Sequence, residues 1–356
     1  MSSPPLLPFK IHPPLLNSSN PWATTEADLS ALYACPYTGA VTIRTSLCVG
    51  HATARIDTSG AEGRGEVREG EGNSLNTLGY SPIPFESYIG MLIRMNEAGI
   101  LNNATPKPFI VSVTGTAEEV GRCMQCPYKF SFLCISCYVK SYIYMAKTLH
   151  ERKTEGLQLM MEINLSCPNI PDKPPPAYDS RSLAKYILAI RKAKSLAESS
   201  RHPCLHVGIK TPPYTYPGQF HGLISALEEG SASEKPGSSS CPISFITATN
   251  TLGSCLVLRD DGTAALGSVG GLGIGGMAGE ALHALALGNV KTIRGMLDAS
   301  AYAEIRGMGI IGIGGVSDAA GFARMRSVGA AAVGVGTAFG REGIEVFGKI
   351  TAGVEL

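Results

Sequence analysis

Eight short aliphatic runs, separated by helical patterns, limit what this chain can fold into. They fall at 14–18 (PLLNS), 39–44 (GAVTIR), 108–114 (PFIVSVT), 157–163 (LQLMMEI), 204–210 (CLHVGIK), 243–249 (ISFITAT), 308–313 (MGIIGI) and 331–336 (AAVGVG). Most are apolar on both faces, as strands of a parallel sheet covered by helices are. TEADLSALYA follows the first run and RSLAKYILAIRKAKSLAE the fourth. GEALHALALGNVKTIRGML precedes the seventh, and SDAAGFARMRSVG, with Ser317 and Asp318 as a helix start, precedes the eighth. Eight βα units predict an α/β fold, a closed (β/α)8 TIM barrel, as a single domain over 1–356. An open doubly wound sheet is the rival arrangement. Three stretches break the rhythm and are expected as loop insertions. They are the glycine-rich 56–75, the cysteine- and tyrosine-rich 121–147 and the low-complexity 230–240.

Composition removes whole classes of function. Thirty Lys and Arg against 29 Asp and Glu leave a net charge of +1, with no electrostatic footprint for nucleic acid or an anionic membrane. The proline-rich start, MSSPPLLPFKIHPPLL, does not read as a signal or transit peptide. The most apolar window, FSFLCISCYV at 130–139, is far shorter than the roughly 20 residues of a membrane-spanning helix. These features predict a soluble, cytoplasmic protein. Its 10 cysteines are expected as thiols and not as a disulfide framework.

In a barrel, chemistry belongs at the C-terminal ends of the strands. After the seventh and eighth runs come IGIGG (311–315) and VGVGTA (333–338), with GIGGMAG (273–279) as a third glycine loop. Such loops either make tight turns or offer backbone N–H groups to a phosphate; two in the last two units favour the phosphate. After the fourth run comes INLSCPN, which places Cys167 among Asn164, Ser166 and Asn169. A cysteine there is either a packed small residue or a reactive thiol. Lys210 ends the fifth run in VGIKTPPY, where burial is costly unless it meets an anion or an electron-rich ligand. Asn250 and Thr251 end the sixth run in ITATNT, and Asn76 lies in SLNTLGY. A ring of amides around one thiol and one lysine suits a planar polar heterocycle.

Other patterns carry less. Cys123, Cys126, Cys134 and Cys137 form two CxxC pairs, but only seven residues separate them, and no metal is expected there. No HExxH zinc motif, P-loop or serine-hydrolase triad is present. GLGIGG (271–276) matches GxGxxG in letters without a strand leading into it.

Taken together, INLSCPN, VGIKTPPY, TATNTLG, the GIGG loops and VGVGTAF resemble the dihydroorotate dehydrogenases, in the same chain order. The likeness runs from NSSNPW near residue 17 to FGKI near 350. A cysteine in INLSCPN looks like the soluble class 1 enzymes, since the membrane-bound, quinone-using class has serine there. The pattern is most similar to the fumarate-using, homodimeric subclass 1A. The resemblance implies FMN on the strand ends and oxidation of dihydroorotate to orotate in de novo pyrimidine (UMP) biosynthesis, with electrons passed to fumarate. It implies that Cys167 removes the C5 proton while a hydride leaves C6 for N5 of FMN. A free thiol titrates above neutral pH, so such a base needs surroundings that favour its thiolate. The resemblance further assigns Asn76, Asn164, Asn169, Asn250 and Thr251 to the substrate. It assigns Ser18, Ser19, Arg44, Thr45, Asn164, Lys210, Gly275, Gly276, Gly314, Gly315, Gly336 and Thr337 to FMN. Arg44 stands where the subclass usually has lysine, and the KPKxGFGG lysine has no counterpart near Val269. The region 121–147 departs from the family helix. Another acceptor or substrate, or a flavin-binding paralogue without turnover, stays open at this point.

Overall fold

The computed structural model describes residues 5, 7–47, 72–102, 105–115, 144–151, 157–167, 175–232, 241–267 and 271–354. All eight runs become strands: β1 (Leu15–Asn17), β2 (Val41–Thr42), β5 (Phe109–Thr114), β6 (Leu159–Asn164), β7 (His206–Thr211), β8 (Phe245–Ala248), β11 (Gly309–Ile313) and β12 (Ala332–Val335). They pair in parallel in the order β1-β12-β11-β8-β7-β6-β5-β2. A parallel bridge between Leu16 and Ala40 joins the two ends. The Asn17 side chain supplies further rungs at this seam. Its Nδ2 donates to Thr42 O at 2.6 Å, and its Oδ1 accepts from Thr42 N at 2.9 Å. An amide side chain can stand in for a strand backbone because it carries the same donor–acceptor pair. The result is a nearly closed barrel of eight parallel strands with alternating helices, so the open-sheet alternative falls away. β3 (Ser46–Leu47) also pairs with β5, which makes it a continuation of β2 beyond a break at Ile43–Thr45. That break puts Arg44 and Thr45 at the rim.

Three helices start at side-chain caps. Thr25 and Asp28 form a reciprocal capping box at the Glu26–Ala34 helix. Asp179 caps Ser180–Ser199 through Ser182 N, and Asp318 caps Ala319–Ser327 through Gly321 N. Leu183, Ile187 and Ile190 on the long Ser180–Ser199 helix are buried against the barrel wall. Among the described residues, no helix is long and apolar enough to cross a membrane.

Strand alternation explains why the site lies at one end. Leu16, Ala40, Ile110, Met160, Phe245, Ile311 and Ala332 form a separate buried cluster inside the barrel. Two residues further along the same faces come Ser112 on β5, Glu162 on β6, Gly208 on β7 and Thr247 on β8. Beyond them stand Asn164 and Lys210, paired in register. The interior therefore turns from aliphatic to polar toward the C-terminal ends of the strands. Gly208 marks the transition, because a methyl group there would run into the ring of Phe245 across the ladder. Gly208→Ala is expected to destabilise the fold by roughly 1–3 kcal/mol through overpacking. Chemical denaturation should show it, and an unchanged midpoint would mean that the Phe245 ring moves aside at no cost.

Two expectations need correction. The end of the stretch predicted as a loop over 56–75 contains a strand, β4 (Asn73–Asn76). The third glycine loop is also a strand, β10 (Gly275–Gly279). With β9 (Leu252–Cys255) these form a separate antiparallel sheet in the order β4-β10-β9. Residues 56–71, most of 121–147 with its CxxC cysteines, and 233–240 lie outside the described residues. Residues 144–151 are helical.

Candidate active site

A cavity opens where the barrel strands end and the small sheet leans over them. It encloses about 1150 Å³ including its mouth, room for a cofactor-sized ligand. From the expected site residues it gathers Ser18, Ser19, Arg44, Thr45, Asn76, Asn164, Cys167, Lys210, Asn250, Thr251, Gly314, Gly315, Gly336 and Thr337. Gly275 and Gly276 are not in this lining. They lie on β10, and the Gly276 carbonyl accepts Asn76 Nδ2 at 3.4 Å. Their strand instead delivers Ala278 and Gly279 to the wall. Asn169 and Val269 fall outside the described residues.

Two asparagines at the centre have fixed polarity. The Ser166 backbone N–H donates to Asn164 Oδ1 at 3.2 Å, which settles which end of that amide is oxygen. Asn164 Oδ1 also receives Ser166 Oγ at 3.3 Å and Asn250 Nδ2 at 3.1 Å. Thr251 N donates to Asn250 Oδ1 at 2.9 Å, and Asn250 Nδ2 also donates to Ser166 Oγ at 3.0 Å. Asn164 thus has an N–H left for a ligand, and Asn250 has a carbonyl lone pair. A donor beside an acceptor complements an amide-like edge, C=O next to N–H. Cys167 follows on the same loop, half-buried on the cavity wall.

The site is basic. Its lining holds Arg44 and Lys210 but, among the described residues, no carboxylate. Lys210 is 4% exposed, and among the described residues its ammonium has no ion-pair or hydrogen-bond partner. Burying an ammonium so is unfavourable unless a ligand compensates it. Thr249 Oγ1 is likewise buried on the wall without a partner among the described residues. Arg44 lies at the β2 break, with Nη2 at 3.5 Å from Gly79 O. Burial pushes its guanidinium below the ordinary value, and the neighbouring Tyr88 opposes that shift; the group stays charged.

The glycine loops press together at the far side. Gly315 has φ +67°, and a Cβ on it would sit 2.6 Å from Gly279 O. Only glycine tolerates both the angle and the approach. Arg324 Nε donates to His283 Nε2 at 3.1 Å, so His283 Nδ1 carries the proton it shares with Gly314 O at 2.7 Å. This pins the Gly314 carbonyl. Ser74 and Thr337 hydroxyls meet at 2.8 Å, tying β4 to the last loop.

Several wall residues escape sequence reasoning. Asn20, Trp22, Leu78, Tyr80, Thr249 and Leu282 all line the cavity. Trp22 packs edge-on to Phe339 and fills the space left by Gly340. The signal for it was NSSNPW directly after the first strand, where barrel loops carry function.

A (β/α)8 barrel with a basic cavity at its strand ends, a thiol on the wall and glycine loops opposite is a ligand-binding barrel enzyme in its architecture. Residues 64–356 match the dihydroorotate dehydrogenase family, and the chain belongs to that family of oxidoreductases. It is similar to proteins named dihydroorotate dehydrogenase (fumarate) from three organisms. That of Trypanosoma cruzi is 24% identical over 277 residues, covering 78% of this chain and 70% of the relative. That of Lachancea kluyveri is 25% identical over the same length and coverage. That of Kluyveromyces lactis is 30% identical over 206 residues, 58% of this chain and 56% of the relative.

Proposed function

We propose that this chain is an FMN-dependent dihydroorotate dehydrogenase that oxidises dihydroorotate to orotate, with Cys167 as the general base and fumarate as the electron acceptor. The observation that carries the reading is the Cys167–Asn164–Asn250 constellation beside the unpartnered Lys210 ammonium. The donor–acceptor pair of Asn164 and Asn250 matches the C=O and N–H groups around a pyrimidine ring. The absence of a carboxylate from the described lining suits a substrate that is itself a carboxylate. Fumarate comes from the names of the relatives. The resemblance adds subclass 1A, a homodimer and a place in UMP synthesis.

The residues present fit FMN. The ammonium of the buried Lys210, the unsatisfied Thr249 hydroxyl and two side-chain-free glycine loops form a wall built for an electron-rich ring and a phosphate. FMN, held by Ser18, Ser19, Thr45, Asn164, Lys210, Gly314, Gly315, Gly336 and Thr337, supplies the two-electron acceptor. The chain's own work is positioning and proton transfer. Asn164 and Asn250 orient the substrate ring. Cys167 Sγ takes the C5 proton; loss of the C6 hydrogen with its electron pair completes the C5–C6 double bond of orotate. Lys210 stabilises negative charge that arrives during oxidation.

Stopped-flow mixing of the holoprotein with dihydroorotate under anaerobic conditions tests this. The oxidised flavin absorbance should bleach, and reoxidation by fumarate should outpace that by quinone or NAD⁺. No bleaching would rule out the substrate, and faster reoxidation by quinone or NAD⁺ would rule out the acceptor. Arg44→Lys should leave the bleaching rate within about threefold, because its 3.5 Å contact to Gly79 O is at the long limit of a hydrogen bond. A loss beyond tenfold would mean that the pocket depends on the planar guanidinium.

A further inference from the structure

One buried carboxylate has no part in the chemistry above. Glu162 stands on β6 two residues before Asn164, 2% exposed and facing the barrel interior. Ser112 Oγ, on β5, donates to Glu162 Oε1 at 2.9 Å. Ser112 Oγ also lies 2.9 Å from Thr45 Oγ1, and Thr45 Oγ1 lies 2.9 Å from Ser19 Oγ. Each hydroxyl has one proton to donate. Ser112 gives its proton to Glu162, so it must receive the proton of Thr45. Thr45 in turn receives the proton of Ser19 and the Asn164 Nδ2 donor at 3.1 Å. Ser19 Oγ already accepts Thr45 N–H at 2.8 Å. A single acceptor at the inner end therefore orders three hydroxyls. Ser19, on the cavity wall, is left with a lone pair and no proton for the ligand.

We infer that Glu162 is a positioning residue: by aligning Ser112, Thr45 and Ser19 in one direction, it makes the Ser19 wall an acceptor for an N–H-bearing edge of the bound heterocycle. The inference rests on reading this cavity as the flavin site. Without an acceptor at position 162 the string can reverse. Ser112 then donates to Thr45, Thr45 to Ser19, and Ser19 turns its proton toward a ligand N–H. The amides do not follow this reversal. Asn164 and Asn250 are held by the Ser166 and Thr251 backbone N–H groups. Cofactor binding is thus affected more than substrate binding.

The test compares full-length Glu162→Gln, Glu162→Met, Ser112→Ala and the Glu162→Met/Ser112→Ala double variant. FMN dissociation constants come from flavin fluorescence on dilution of the holoprotein. Orotate affinity comes from titrating the flavin spectrum. Glu162→Gln keeps an acceptor and should hold FMN within about threefold of the wild type. Glu162→Met and Ser112→Ala should each weaken FMN binding roughly tenfold, the scale of one unmade hydrogen bond, with orotate affinity within threefold. The double variant should lose no more than either alone, because both changes break one string. The inference is overturned if Glu162→Met holds FMN normally, if Gln loses as much as Met, or if the two losses add. Should Glu162→Met not fold, unchanged FMN affinity in Ser112→Ala overturns it. A wild-type holoprotein that dihydroorotate does not bleach defeats the substrate reading alone, because the FMN affinities stand apart from turnover.

Discussion

Cys167→Ala is expected to slow flavin reduction by dihydroorotate about 10²- to 10⁴-fold at neutral pH, the usual contribution of a positioned general base. The loss should appear almost wholly in the reduction rate. Asn164 and Asn250 are anchored by the backbone N–H groups of Ser166 and Thr251, so orotate affinity should stay within about threefold. In the wild type the rate should climb with pH as thiol gives way to thiolate, and the alanine variant should lack that rise. Rapid-mixing traces across pH, with orotate titrations beside them, check both points. A variant that bleaches at near-normal rate would show that the base is not Cys167.

Lys210→Met should move stability and function in opposite directions. Lys210 is 4% exposed and lines the cavity, and its ammonium has no ion-pair or hydrogen-bond partner among the described residues. An uncompensated buried charge is unfavourable, so a methionine of similar length should stabilise the cofactor-free protein by roughly 1–3 kcal/mol. Flavin reduction should fall on the order of 10²-fold, because a preorganised positive charge no longer faces the charge that arrives. Thermal unfolding of flavin-stripped protein and anaerobic reduction of the loaded protein give the two readouts. If Lys210→Met left stability lower and reduction intact, the lysine would be structural. Opposite signs are the mark of a residue kept for its ligand.

These expectations draw unequally on sequence and structure. The eight barrel strands were legible because each is a local aliphatic run, and burial on both faces needs nothing but such a run. The positions after strands four, five and six were legible for the same reason: once the strands are placed, their C-terminal ends follow, and Cys167, Lys210 and Asn250 stand there. The small sheet was not legible. NSLN and GGMAG lack the β-branched pattern of a strand, and they become strands only because each meets the other, 200 residues apart, in the register Gly276↔Asn76. Gly275 and Gly276 therefore sit on a strand and not in a loop, and that strand brings Ala278 and Gly279 to the cavity wall.

By itself the sequence determined the barrel, the end of it where the cavity opens, and most of the residue types gathered there, because strand period and strand ends are local properties. Polarity was decided only by the tertiary structure. That Asn164 offers an N–H and Asn250 a carbonyl depends on backbone groups beside each of them. That Ser19 offers a lone pair depends on a carboxylate at position 162, reached through two other strands. Hydrogen-bond direction belongs to a closed network of donors and acceptors, and the network closes only when the chain brings β2, β5 and β6 side by side.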